Sequence, residues 1–254
     1  MNNEYKINFI SQENFEKHVT DTLKQYNETL KSIDLKKFNS NLVDPIKLLF
    51  DKNVFDKSFD EIIKLEIHRQ RDKSNSNIIG YFHQNMFKYI DNCVVPKEGW
   101  DVIFTDPDKT YYIEMKNKHN TMNSSSSGKT FMKMQNHLLN AEDKNRSICA
   151  LVEVIAKKSQ NIPWVITLDK VKQSPNEQLR RISIDKFYEI VTGEKEAFKI
   201  ICEQLPITIE KIIKSNKSLQ VEKDTVFEEL EKIDSDVLIA LYKLAFSTYE
   251  GFEF

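Results

Sequence analysis

Only five glycines and six prolines punctuate 254 residues, about 4% of the chain, where roughly 12% is usual. Glycine supplies left-handed backbone and proline supplies fixed bends. A chain so poor in both has few tight turns and is expected to be rich in helix. Several helix starts are legible. Ser11 caps a first helix, along which Phe15, Val19, Leu23, Tyr26, Leu30 and Ile33 recur at spacings of three and four. Asp44-Pro45 opens a second, with proline at the first helical position. Ser58-Phe-Asp-Glu61 is a capping box. The helix it opens carries Ile62, Ile63, Leu65 and Ile67 and is expected to end in the polar run Arg69 to Asn77, with a separate helix from about Ile78 to Tyr89.

The texture then changes. Trp100 to Thr105 and Thr110 to Met115 are short β-branched and aromatic runs separated by Asp106-Pro-Asp-Lys109, which predicts an antiparallel hairpin. A polar loop, Asn117 to Gly128, leads to a helix from about Lys129 to Ala141. Ser147 to Ile155 is apolar on both faces and reads as a central strand. Trp164 to Thr167 is a possible fourth strand. Helices follow from Ile184 to Val191, ended at Gly193, from Glu194 to about Ser215, and from Ser235 to Ser247. The expectation is an α/β fold: a small mixed central sheet flanked by helices, with helical N- and C-terminal additions. It is expected to form one domain over 1–254, with a helical part at 1–57, a core at 58–195 and a helical part at 196–254.

Composition excludes several classes. Apolar residues make up 40% and charged residues 30%, which fits neither a disordered tail nor a membrane protein. No apolar run approaches the roughly 18 residues that span a bilayer. MNNEYKINFISQ has no cationic patch followed by an apolar stretch, so no secretory signal is expected. Cys93, Cys149 and Cys202 share no CxxC spacing, which fits buried thiols in a reducing cytoplasm rather than a zinc site. The 37 Lys and Arg nearly balance the 39 Asp and Glu, so any nucleic-acid surface must be local.

The chemistry concentrates in Gly99-Trp-Asp101 and Ile113-Glu114-Met-Lys116. Glu114 and Lys116, two apart on a strand, share a face. An aspartate from the neighbouring strand, Asp101, brings a second carboxylate to the same point. Two hard oxygen ligands suit Mg²⁺, which keeps several waters and binds substrate phosphate. A lysine beside them can position an attacking water. Hairpins also carry such residues as solvated ion pairs, so the pattern alone leaves both readings open.

More specific are Asp72 to Gln84, Gly99-Trp-Asp101, and Ile113-Glu-Met-Lys-Asn-Lys-His-Asn-Thr-Met-Asn-Ser-Ser-Ser126, with weaker support from Arg181 to Gly193. Through these residues, over about 60–195, the chain resembles type II restriction endonucleases of the PD-(D/E)xK nuclease superfamily, and among them the group that cuts GGNCC-type sites. One departure is Trp100, which stands where the superfamily usually has proline. The resemblance implies a restriction-endonuclease-like core that hydrolyses double-stranded DNA at a short palindrome, leaving 5′-phosphate ends. It implies Mg²⁺ held by Asp101, Glu114 and the Met115 carbonyl, with Lys116 acting on the attacking water. An acidic residue from the preceding helix often joins such sites, and Glu66, then Glu61, is the candidate. Gln84 and His83 could reach the metal or a phosphate. A homodimer and a cognate methyltransferase are the implied partners. A repair nuclease of the same superfamily and an inactive DNA-binding module are the rival readings.

DNA contacts are expected from the loop and helix that follow. His119, Asn120 and Asn123 carry groups suited to phosphate oxygens or base edges. Ser124 to Thr130 resembles the end of a phosphate-binding P-loop, but position 123 is Asn rather than the required Gly. Ser124, Lys129 and Lys133 are better read as DNA phosphate contacts. Residues 114–133 carry four lysines and one acid, and 157–186 carry seven bases and three acids. Basic segments therefore flank the proposed site. Arg180 and Arg181 are candidates to read guanine. The acidic 222–253 segment, nine acids against three bases, is expected to pack or dimerise.

Overall fold

The computed structural model describes residues 5–119, 121–168, 170–215 and 223–246. In chain order its elements are α1 (Gln12–Thr29), α2 (Leu35–Asn39), α3 (Pro45–Val54), α4 (Phe59–Met86), β1 (Cys93–Val94), β2 (Val102–Thr105), β3 (Thr110–Lys118), α5 (Ser124–Asn140), β4 (Ser147–Ile155), β5 (Asn161–Pro163), β6 (Thr167–Leu168), β7 (Val171–Lys172), β8 (Leu179–Ser183), α6 (Ile184–Thr192), α7 (Ala197–Ser215), α8 (Val226–Ile233) and α9 (Val237–Phe246). This is the expected α/β arrangement, a mixed sheet with helices, in two compact units. One comprises residues 1–22 and 79–216, the other 23–78 and 217–254, and the boundary falls within α1 and α4.

The first unit holds a six-stranded sheet in the order β1-β2-β3-β4-β8-β5. The predicted hairpin is β2–β3, antiparallel, with Val102 opposite Ile113. β3 pairs parallel with β4, and β4 with β8. Parallel neighbours need a crossover, and α5 supplies it between β3 and β4. Ser147 through Glu153 of β4 are all buried, as a parallel strand covered on both faces should be. On one face Phe131 and Met134 of α5 pack with Cys149, Leu151, Trp164 and Leu179. α6 packs on β4, and its Phe187 and Tyr188 meet Phe87 at ring-centroid distances of 4.9 Å.

The second unit has its own core, in which Phe38, Leu48, Ile62, Ile63 and Ile67 pack with Val226, Leu230, Val237 and Leu241. The acidic C-terminal helices therefore do pack, through their apolar stripe. Asp44 caps α3, accepting from the Ile46 and Lys47 amides at 3.0 and 3.2 Å. The capping box forms as predicted, with the Ser58 amide donating to Glu61 at 2.9 Å and the Glu61 amide to Ser58 Oγ at 3.3 Å.

Three expected elements need correction. The run Arg69 to Asn77 does not end a helix, and α4 continues unbroken to Met86. Arg, Gln and Lys are good helix formers, and their side chains find tertiary partners. Arg71 binds Asp224 and the Thr29 carbonyl, and Gln70 binds the Phe38 carbonyl. The helix after the hairpin starts at Ser124 rather than Lys129, because Asn123 Oδ1 accepts from the Ser126 amide at 2.8 Å and caps it. Trp164 to Ile166 is not a strand. Pro163 ends β5, Trp164 is buried against Phe131, and Thr167–Leu168 pairs with Val171–Lys172 in a separate ribbon. β8 was not among the expected strands; it carries Arg180 and Arg181 and pairs with the buried β4. The final helix was expected to reach Ser247, which lies outside the described residues. Of the three free thiols only Cys149 is fully buried, while Cys93 is half-buried and Cys202 exposed. Among the described residues no helix is long and apolar enough to cross a membrane.

Leu151 fills the face covered by α5, whereas Leu139 of α5 is 73% exposed. Leu151→Ala is expected to lower the unfolding free energy by about 2–5 kcal/mol and Leu139→Ala by less than about 0.5 kcal/mol, read from urea unfolding midpoints at equal m-value.

Candidate active site

The site forms where β2 and β3 begin to separate. Gly99 has φ +92, a left-handed value that glycine adopts without strain, and it turns the chain into β2. Asp101 follows, its amide donating to the Ile113 carbonyl at 2.9 Å. Its Oδ2 accepts from the Met115 amide at 2.7 Å. The aspartate is thus clamped across the hairpin beside Glu114. From α4, Gln84 Nε2 donates to the Asp101 carbonyl at 3.1 Å and holds the same residue from behind.

Glu114 and Lys116 share the face of β3 that α5 covers, as their spacing predicts. A carboxylate there must be partnered. Lys133 of α5 donates to Glu114 Oε1 and also to the Gly99 carbonyl, and Lys116 Nζ lies 3.9 Å from Glu114 Oε2. The Lys133 ammonium sits 4.2 Å from the centre of the Trp100 ring. Trp100 is therefore a cation–π platform for Lys133. That role was not legible in sequence, because it depends on α5 lying across the hairpin.

Among the described residues no three His, Cys, Asp or Glu side chains form a metal-holding cluster. Two carboxylates stand on adjoining stretches of the hairpin: Asp101, bonded to the Met115 amide, and Glu114, the residue before Met115. Asp101 Oδ1 has no protein partner among the described residues, so it is available to a cation. The donor set of two carboxylates, with the intervening Met115 carbonyl as a further oxygen, fits a hard ion that retains waters.

Other candidates fall in different places. Glu66 belongs to the second unit. It is 5% exposed, with its carboxylate held by Arg69 at 2.5 and 2.6 Å and by Gln70 at 3.2 Å. Glu61 serves its capping box, and the Ser58 backbone amide holds its carboxyl below the usual range. His83 lines a cavity with Asn117, Val154 and Asp185. Asn117 alternates with Lys116 along β3, so this is the opposite face of the sheet from Glu114. Lys129 is exposed one turn before Lys133, and Ser124 is exposed in the first turn of α5. Asn123 is the cap of α5. Arg180 has each of its three nitrogens engaged, by Asn161 and Glu177, where it fastens β5 to β8. Asn120 lies outside the described residues.

His119 and Arg181 come together on Glu153 of β4, a carboxylate only 1% exposed. Sequence reasoning missed Glu153, although a lone acid inside an apolar central strand is itself the signal, since such a charge needs a partner.

The profile of the Eco47II restriction endonuclease family matches residues 7–214. The chain is similar to the type II restriction enzyme Sau96I of Staphylococcus aureus, with 30% identity over 237 residues covering 91% of this chain and 89% of that one. It is also similar to the type II restriction enzyme Eco47II of Escherichia coli, with 26% identity over 183 residues covering 70% and 76%.

Burial of His83 pushes its pKa from 6.5 down to about 4. Between those values the unfolded chain binds the proton and the folded chain does not. The stabilising effect is therefore complete above pH 6.5 and is lost as pH falls toward 4. At 1.36 kcal/mol per unit the loss reaches about 3 kcal/mol. Urea unfolding at pH about 7 and about 4.5 is expected to show a smaller acid-side loss in His83→Phe than in the wild type.

Proposed function

As the chain belongs to the Eco47II restriction endonuclease family and is a type II restriction enzyme, we propose that it is a Mg²⁺-dependent nuclease cutting both DNA strands at a short GGNCC-like palindrome. The products carry 5′-phosphate and 3′-hydroxyl ends. What supports this reading is that Asp101 is bonded across the hairpin to the Met115 amide, next to Glu114, whose carboxylate lies 3.9 Å from Lys116 Nζ.

In the proposed mechanism Asp101, Glu114 and the Met115 carbonyl would hold Mg²⁺, which when bound would supply Lewis-acid stabilisation of charge on the phosphate oxygens. Lys116, held near Glu114, orients the attacking water by donating to it; the new O–P bond forms as P–O3′ breaks, the water's proton passes to solvent, and O3′ takes a proton from solvent to become the 3′-hydroxyl. Gln84 acts through the Asp101 carbonyl and fixes the angle at which that carboxylate is presented. Trp100 and the Gly99 carbonyl hold Lys133 against Glu114, so that its ammonium faces the substrate phosphate. Lys129, Ser124 and the free amide nitrogen of Asn123 contact the backbone from the start of α5, where the helix dipole also favours an anion. His119 and Arg181 extend the contact surface. Glu66 and Arg180 stay outside the proposed set, because their polar atoms are already satisfied within the protein. Asn120 is retained as a candidate from its place beside His119 in sequence.

A palindrome presents two equivalent strands, and two copies of one active site related by a two-fold axis match it. The proposed working form is a homodimer, acting in the cytoplasm together with a cognate methyltransferase that protects host sites.

The deciding experiment is a digest of a sequenced plasmid with fragment ends mapped. Discrete fragments ending at one palindrome are expected, with none in the presence of a chelator. Glu114→Ala and Lys116→Ala are each expected to lower kcat by about a thousandfold or more, roughly 4 kcal/mol of barrier. A smear would remove sequence specificity from the proposal, and an uncut plasmid with Mg²⁺ present would remove the catalytic assignment. Sedimentation equilibrium is expected to give twice the 29.9 kDa chain mass.

A further inference from the structure

Beyond the Asp101–Glu114–Lys116 constellation, the same face of the sheet carries a second set of charges. Glu153 of β4 is in register with Lys116 of β3, and Arg181 of β8 is in register with Leu151 of β4, itself opposite Glu114. In-register residues of parallel strands point to one side, so Glu114, Lys116, Glu153 and Arg181 form a continuous strip. Arg181 lies two strands from Glu114, about 10 Å at normal sheet spacing.

The contacts within this set are unusual in their economy. Glu153 is buried, and Arg181 grips it with two nitrogens, Nε to Oε2 at 3.0 Å and Nη2 to Oε1. Arg181 Nη2 also donates to His119 Nδ1. A guanidinium can only donate, so Nδ1 accepts here and the imidazole proton is on Nε2. With Nδ1 unprotonated the Glu153 oxygens, 3.3 and 3.4 Å away, make no hydrogen bond to the ring, so Glu153 acts on His119 only through the shared Arg181 guanidinium. Two donors are left over. Arg181 Nη1 and His119 Nε2 have no protein partner among the described residues, and the two side chains are 23% and 26% exposed. A buried anion, two fixed side chains and two donors turned outward beside a lysine form a site for a singly charged oxyanion group.

Resting on the nuclease reading above, we infer that Glu153 is a positioning residue that holds Arg181 and His119 as a two-donor clamp for one DNA phosphate. That phosphate is a near neighbour, on the same strand, of the one presented to Lys116. The clamp fixes the strand's register over the catalytic residues and carries no base information. It also accounts for an arginine next to a buried glutamate on a face otherwise given to catalysis. Arg180, one residue earlier and on the opposite face, is spent on β5 and offers no such donors.

The test uses a duplex with one cleavable site and its derivatives, each with a single phosphate replaced by an uncharged methylphosphonate. KM and kcat are read separately in Mg²⁺. In the wild type, replacement of the clamped phosphate is expected to raise KM about tenfold with kcat little changed. Arg181→Ala is expected to raise KM about tenfold on the unmodified duplex, to lower the salt slope by about one, and to show no further loss at that one position. Glu153→Gln is expected to give part of the same effect at the same position. Arg181→Ala leaves a buried carboxylate unpaired, so the exposed His119→Ala and the double variant Glu153→Gln/Arg181→Gln provide the parallel measurement if the single variant fails to fold. Losses in Arg181→Ala and His119→Ala that add in full to every methylphosphonate loss would overturn the clamp. Glu153→Gln with wild-type KM at all positions would overturn its positioning role. Failure of the wild type to cut any duplex in Mg²⁺ would instead overturn the nuclease reading on which the clamp rests.

Discussion

The parallel pairing of β3 with β4 is the constraint from which the first unit follows. A parallel pair cannot be closed by a short turn, so the chain crosses over through α5, and α5 then lies on the face of β3 that holds Glu114 and Lys116. Charges on a covered face are tolerated only with partners. Each is accordingly matched: Glu114 by Lys133 and Lys116, Glu153 by Arg181, and Asp101 by the Met115 amide. The apolar part of the same face, Leu151, Leu179, Phe131 and Trp164, excludes water from one end of the strip. Site and core are two ends of one surface.

This arrangement sets what the site can do. Asp101 is fixed by backbone on both sides and Glu114 by ammonium groups, so neither carboxylate must be ordered when substrate arrives. Preorganised groups of this kind act on the transition state without a reorganisation cost. Gln84, Trp100 and Gly99 do not touch substrate in the proposed mechanism. They determine where the groups that do touch it are held.

What was legible in the sequence divides by the range of the interaction that decides it. The Ser58–Glu61 box, the Asp44-Pro45 start and the β2–β3 hairpin depend on residues a few positions apart, and all three form as read. β4 was legible because burial on both faces leaves an unbroken apolar run. The length of α4 was not, since Arg71 and Gln70 find their partners in Asp224 and Phe38, far off in the chain. β8 was missed for the same reason, as its Arg181 is neutralised by an acid on another strand. Within the candidate site, the spacing of Glu114 and Lys116 put both on one face of β3, as the structure has it. Lys133 was expected only as a phosphate contact, because the start of α5 was placed five residues late and its reach to Glu114 was hidden.

The strip has one further consequence. Asp101, Glu114 and Glu153 stand against Lys116, Lys133 and Arg181, three negative and three positive groups that cancel. A balanced cluster casts little field beyond about 8–10 Å in ordinary salt, so the site does not itself draw a duplex in from afar. In the proposed function, long-range attraction rests with the lysines around it, and the site responds only to a strand already seated at contact distance. A protein arranged in this way can leave the wrong stretch of DNA quickly, and its dwell time is governed by fit rather than by charge.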